Sequence, residues 1–162
     1  MNETVLAFAP HPDDAEIYCG GALAKLAGEG AAVHIVVATD GRRGSFMEDS
    51  DELAAVRAGE MRRAAEVLGA QPPLLLAFPD MELDMLPAGL LRERFVRAIR
   101  SVRPAIIFAP DPYALYEPHP DHRAVAWAAL EAANCAHLPL AYPAHLADGL
   151  APHLVRERYF YG

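Results

Sequence analysis

The sequence predicts an α/β fold: a mostly parallel sheet with helices on both faces. Short apolar runs, several of them β-branched, alternate with longer Ala/Leu-rich segments of helical spacing. The runs VHIVVAT and AIIFA are almost wholly apolar, as strands covered on both faces are. Four of the runs are followed by charged or polar loops, the pattern of a sheet whose strand ends share one functional edge.

The elements follow in order. Val5–Ala9 is the first strand. Glu16–Glu29 has helical spacing, and Gly28 and Gly30 mark its end. Val33–Thr39 is the clearest strand, with His34 inside it as a structural or surface residue. Ser50–Gly69 is a strong helix, because Ser50, Asp51 and Glu52 suit its positive N-terminus. Leu74–Phe78 is a short strand; Pro87–Arg103 is a helix that Pro104 stops. Ala105–Ala109 is a buried strand, Asp121–Asn134 a helix with Trp127 in its core, and Val155–Tyr161 the last strand. His137, His145 and His153 fall in a Pro/Ala-rich stretch and read as solvated.

Size and composition bound the function. The 162 residues suit a single domain, residues 1–162, with no repeat, linker or low-complexity tract. Such a chain buries roughly 70 % of its unfolded surface and needs no disulfide to fold. A formal net charge of −8, from 14 Lys and Arg against 22 Asp and Glu, opposes general nucleic-acid binding. No apolar run is long enough to span a membrane. The opening MNETVLAFAP lacks the basic start and long apolar core of a secretion signal. With only Cys19 and Cys135, this predicts a reduced, cytoplasmic protein.

Two clusters stand at the predicted sheet edge. His11-Pro12-Asp13-Asp14 follows the first strand, where His11 and Asp14, three apart, can reach one point. An imidazole and a carboxylate suit a borderline divalent ion such as zinc, which leaves Asp13 free to act on a water there. The plainer alternative is that Asp13 or Asp14 only caps the next helix. His119-Pro120-Asp121-His122 follows the fourth strand. One of its histidines could complete a three-ligand site with an open position, and the other would serve proton transfer or charge stabilisation. Alone, both could equally be solvated loop residues.

APHPDDAE, the Cys19-Gly20-Gly21 step, the strand ending at Thr39 and the later HPDH together resemble the LmbE-like (PIG-L) zinc-dependent N-acetylglucosaminyl deacetylases, over about Val5 to Ala129. The resemblance implies a Rossmann-like sheet and removal of an acetyl group from an N-acetylglucosamine-type amide of a sugar or sugar conjugate. It implies His11, Asp14 and His122 as zinc ligands and Asp13 as the general base. It gives His119 the oxyanion and leaving amine, Asp121 the orientation of His119, and Arg57 a substrate contact. A carboxylate beside His119 would raise its pKa and keep it cationic longer. The family often forms homo-oligomers and usually runs longer at the C-terminus. Where some relatives carry a tyrosine two residues before the first histidine of HPDH, this chain has Glu117. Iron or cobalt would also accept such ligands.

Other features read more plainly. Gly41-Arg42-Arg43-Gly44-Ser45 is a loop with solvated charges, or alternatively an anion holder. Asp80 is turn chemistry, or alternatively a pocket residue. Glu60 pairs with Arg57 on a helix surface. No phosphate-loop or dinucleotide pattern is present. The competing functions are a non-catalytic Rossmann-like small-molecule binding domain and an inactive metal-binding homologue.

Overall fold

The computed structural model describes residues 3–47 and 51–162. Its element order is β1 (Thr4–Ala9), α1 (Asp14–Gly28), β2 (Ala32–Thr39), α2 (Asp51–Leu68), β3 (Leu74–Phe78), α3 (Leu90–Val102), β4 (Ile106–Pro110), α4 (Pro120–Cys135), the single turn α5 (Ala144–Ala147) and β5 (Glu157–Tyr161). A 3₁₀ turn, Leu83–Met85, follows β3. All strand pairs are parallel, in the order β3-β2-β1-β4-β5, a Rossmann-like arrangement. The expected sheet is therefore present and wholly parallel.

Strand alternation sorts the core into two layers. Leu6 and Phe8 of β1, Val36 of β2 and Ile107 of β4 meet α3 and α4. Val5, Ala7 and Ala9 of β1 with Ile35 and Val37 of β2 meet α1 and α2. Helices thus cover both faces. Phe8 and Phe95 pack with ring centroids 4.4 Å apart. Four buried alanines of α4 in this layer, Ala128, Ala129, Ala132 and Ala133, leave room for α3 alongside.

This topology fixes where a site forms. The chain builds outward through β2 and β3, then crosses back to β4 on the other side of β1. At that reversal the loops after β1 and β4 diverge and leave a crevice at the carboxyl edge. Both histidine clusters sit on those two loops.

Several expectations shift. The third helix begins at Leu90 rather than Pro87, because Gly89 takes a left-handed φ of 82° and closes a turn first. The fourth helix begins at Pro120, whose missing N–H costs nothing at a helix start. The Ser50 end of the second helix lies outside the described residues. Trp127 is not core: it is 44 % exposed and meets Tyr113 edge-on, on the same solvent stripe as Arg123 and Glu131. His145 is not solvated: it is buried, with Nε2 2.7 Å from Glu93 Oε1 and its ring stacked on Tyr142. His153 is half-buried, with Nε2 2.6 Å from the Pro104 carbonyl. Both corrections have one cause: the segment after α4 folds back onto α3 rather than trailing in solvent. Among the described residues, no helix is long and apolar enough to cross a membrane.

Arg100 ties that returning segment down. It is 2 % exposed, and its guanidinium donates to the carbonyls of Ala136, Leu138, Ala141 and Tyr142. One planar fork bridges four carbonyls of the irregular chain, three of which also accept a backbone N–H. Arg100→Met strips four donated bonds and leaves the pocket of a buried guanidinium to an apolar side chain. It is expected to cost on the order of 3 kcal/mol, a drop of about 10 °C in the melting midpoint for a chain of this length, read by thermal denaturation.

Candidate metal and catalytic site

Four loops converge at the carboxyl edge, and His11 is their meeting point. Its Nδ1 lies 3.0 Å from Asp14 Oδ2. Its Nε2 lies 3.2 Å from Asp80 Oδ1 and 3.2 Å from Asp121 Oδ2. The three carboxylates come from the start of α1, the loop after β3 and the start of α4. All are buried, Asp121 completely. His119 and His122 flank His11, at ring centroid distances of 4.6 and 5.3 Å.

The local folding reasons are specific. Asp14 Oδ2 also accepts the His11 backbone N–H at 2.8 Å, which closes the turn between them. Neither aspartate of the first cluster caps α1 as the plainer alternative had it: Asp13, at the N-cap position, makes no side-chain capping bond. In the second cluster His119 is the N-cap, and its Nδ1 accepts the Asp121 N–H at 3.2 Å. That leaves the ring proton of neutral His119 on Nε2. Asp121 accepts the N–H groups of Met81 and Leu83, so the loop after β3 is pinned to the start of α4.

These contacts revise one expectation. The Asp121 carboxylate does not bond to the His119 ring; it faces His11 and the backbone after β3. Burial and the neighbouring His11 and His122 push His119 below its ordinary pKa, and the charge of Asp121 offsets this only in part. His119 is therefore a neutral donor near pH 7, not a persistent cation.

The charges around His11 oppose desolvation strongly. Burial alone would lower its pKa, but hydrogen bonds to Asp121, Asp14 and Asp80 carry it up to about 11. Burial likewise favours a neutral Asp14, yet His11 and His122 hold its carboxyl below the ordinary range. His122 is raised by Asp14 and Glu117 against the effect of its burial. Three buried carboxylates so placed call for positive charge among them, from protons or from a cation.

Two triads among the described residues could hold a metal: His11 with Asp14 and His122, and His11 with His119 and Asp121. The first fits better. Asp14 Oδ2 lies 3.0 Å from His11 Nδ1 and 3.5 Å from His122 Nε2. These spans bracket the edge of roughly 3.3 Å that tetrahedral bonds of about 2.0–2.1 Å require. Each histidine also has its far nitrogen on a carboxylate, His11 on Asp80 and Asp121, His122 on Glu117 at 3.1 Å. Such backing orients ligand histidines and raises their basicity. In the second triad, Asp121 and the Nδ1 of His119 are already occupied by backbone N–H groups.

Beside this cluster opens a cavity of about 280 Å³, lined by His11, Asp13, Gly41, Arg43, Gly44, Arg57, Asp80, Met81 and His119. Asp14 and His122 do not line it; Asp14 meets His11 at the opposite ring nitrogen, and His122 meets Asp14. Arg57 Nη2 donates to Asp13 Oδ2 at 2.6 Å and, as read from the sequence, lies near Glu60, at 3.6 Å. The loop after β2 is held rather than free: Arg43 donates to the Asp80 carboxylate and carbonyl and to Glu82. Gly41 is required there, since its φ is +67° and a Cβ would lie 2.9 Å from Pro12 Cδ.

Sequence reasoning missed Glu117 and favoured the wrong side for Asp80. Asp80 is 4 % exposed and belongs to the site. For Glu117 a signal existed, a carboxylate five residues before His122, but its return to the ring goes with a second contact, the His119 N–H donating to Glu117 Oε1 at 2.8 Å.

Comparison with known proteins places the chain in a family. The PIG-L family model, GlcNAc-PI de-N-acetylase, matches residues 6–133, and the chain belongs to that family. The diacetylchitobiose deacetylase of Thermococcus kodakarensis is 39 % identical over 159 residues, covering 97 % of this chain and 59 % of the relative. A 1D-myo-inositol 2-acetamido-2-deoxy-alpha-D-glucopyranoside deacetylase of Rhodococcus jostii is 32 % identical, covering 80 % of this chain and 53 % of its own length. The solved N,N'-diacetylchitobiose deacetylase of Pyrococcus horikoshii superposes with a TM-score of 0.91 at 35 % identity, over 98 % of this chain and 60 % of that one. The chain thus spans between half and two thirds of these relatives.

The Glu117 contact is directly testable. Glu117→Ala removes the carboxylate behind His122 and is expected to weaken divalent-metal affinity by about 10–100-fold, measured by competition with a chelator.

Proposed function

We propose that this chain carries the catalytic machinery of a zinc-dependent deacetylase that removes the acetyl group from an N-acetylglucosamine-type sugar or sugar conjugate. The observation that carries the reading is the His11–Asp14–His122 triad at ligand spacing, with Asp13 on the wall of the adjoining cavity. Family membership and the deacetylases named among its relatives support it.

His11, Asp14 and His122 would hold the ion; two imidazoles and one carboxylate suit zinc, and also accept iron or cobalt. A bound divalent ion supplies Lewis acidity toward the amide carbonyl and brings the pKa of a water to about 7. Asp13 then takes the proton of the attacking water. His119, neutral with its proton on Nε2, donates a hydrogen bond to the developing oxyanion. Attack forms the new C–O bond, and the C–N bond breaks as the nitrogen takes up a proton; the one Asp13 accepted is available for it. Acetate and a free amine leave. Asp80 and Asp121 hold His11 at its far nitrogen, and Arg57 lies in the cavity wall beside Asp13. A homo-oligomer is part of the same reading.

Acetate release from N,N'-diacetylchitobiose by the zinc-loaded protein tests it. Asp13→Asn is expected to lower kcat by about 10²–10⁴-fold, and His119→Ala by roughly 10²-fold, each with the metal content of wild type. A metal-loaded wild type that releases no acetate from this or a GlcNAc-inositol substrate overturns the reading and leaves a binding domain or an inactive homologue.

A further inference from the structure

Asp13 is held in an unusual way. Its backbone has φ +140° and ψ −25°, a conformation that side-chain-bearing residues reach at a cost of about 1–3 kcal/mol. An aspartate at a helix N-cap ordinarily turns its carboxylate onto the first free amides of the helix. Asp13 does not; its carboxylate points across to α2, where Arg57 Nη2 meets Oδ2 at 2.6 Å.

Arg57 is itself seated. Its Nη1 lies 3.6 Å from Glu60 Oε2, and its Nε is buried without a hydrogen-bond partner. Gly41 and Gly44 pass beneath the guanidinium: a Cβ at Gly41 would stand 3.5 Å from Nε, and one at Gly44 3.8 Å from Nε and Nη2. A side chain packed by two glycines, and giving its Nη2 to an aspartate, is poorly placed to reach out to a ligand. It is well placed to fix that aspartate.

We propose that Arg57 is a positioning residue for Asp13: the guanidinium holds Oδ2, draws the carboxylate away from the α1 amides, and leaves Oδ1 to accept the proton. The proposal rests on the reading of Asp13 as base and gives Arg57 a different role from the sugar contact implied by family resemblance. Strain at Asp13 is then the cost of aiming its carboxylate at the cavity rather than at the helix.

The test uses zinc-loaded wild type, Arg57→Ala and Arg57→Lys with N,N'-diacetylchitobiose, and the crystal structure of Arg57→Ala. The Ala variant is expected to lose about 10²-fold in kcat with KM changed less than about threefold, since misplacing a reacting group costs turnover rather than binding. Added guanidinium restores part of that kcat. Lys, which keeps charge without the fork, falls between. In the crystal the Asp13 carboxylate has left its position, turning to the α1 N-terminus. A raised KM with kcat unchanged makes Arg57 a sugar contact and overturns the proposal, as does an unmoved Asp13 in the variant. If the wild type has no activity, the deacetylase reading fails by itself, and the Asp13 position in the variant still decides the role of Arg57.

Discussion

Both ring nitrogens of His11 face buried carboxylates, and the rest of the site depends on that arrangement. Asp14 meets Nδ1, while Asp80 and Asp121 meet Nε2. A buried carboxylate without a partner costs several kcal/mol; His11 is a partner that all three aspartates share, beside the amides that Asp80 and Asp121 also accept. Because they come from three loops, one imidazole fixes the relative positions of the ends of β1 and β3 and the start of α4. Asp121 adds the amides of Met81 and Leu83 to the same knot.

The fold makes this knot affordable by supplying it with backbone donors and a dry floor. β1 is the central strand, fully buried from Val5 to Ala9, so the residues directly after it emerge at the crevice with a buried strand beneath them. The crossover from β3 to β4 brings the second histidine cluster against the first. Charge then sorts roles among chemically similar groups. His11 and His122 sit among carboxylates and carry raised pKa values, whereas His119 is lowered, first by burial and then by the neighbouring imidazoles. Two histidines are thereby matched to a cation and one to hydrogen-bond donation.

Much of this was legible in the sequence. Strand and helix periods gave the parallel sheet, and the loops after VLAFA and AIIFA carried the two clusters that the sheet brings together. Contacts made across the fold were not legible. Asp80 looks like a turn residue because nothing local says that His11 will stand 3.2 Å away. Asp121 precedes His122 in the chain, which suggests local work, yet its carboxylate serves residues 38 to 110 positions distant. Trp127 and His145 were misjudged for a related reason: an apolar helix and a Pro/Ala-rich tail do not reveal which face the neighbouring segment covers.

The central claim is that His11, Asp14 and His122 together hold one divalent ion. Metal content per chain after zinc reconstitution tests it most directly, in wild type, Asp14→Ala, His122→Ala and His119→Ala. The account predicts about one ion in wild type and in His119→Ala, and little in the other two. Loss of the ion in His119→Ala with retention in His122→Ala would contradict it in favour of the His11–His119–Asp121 triad, and no ion in wild type would contradict it outright.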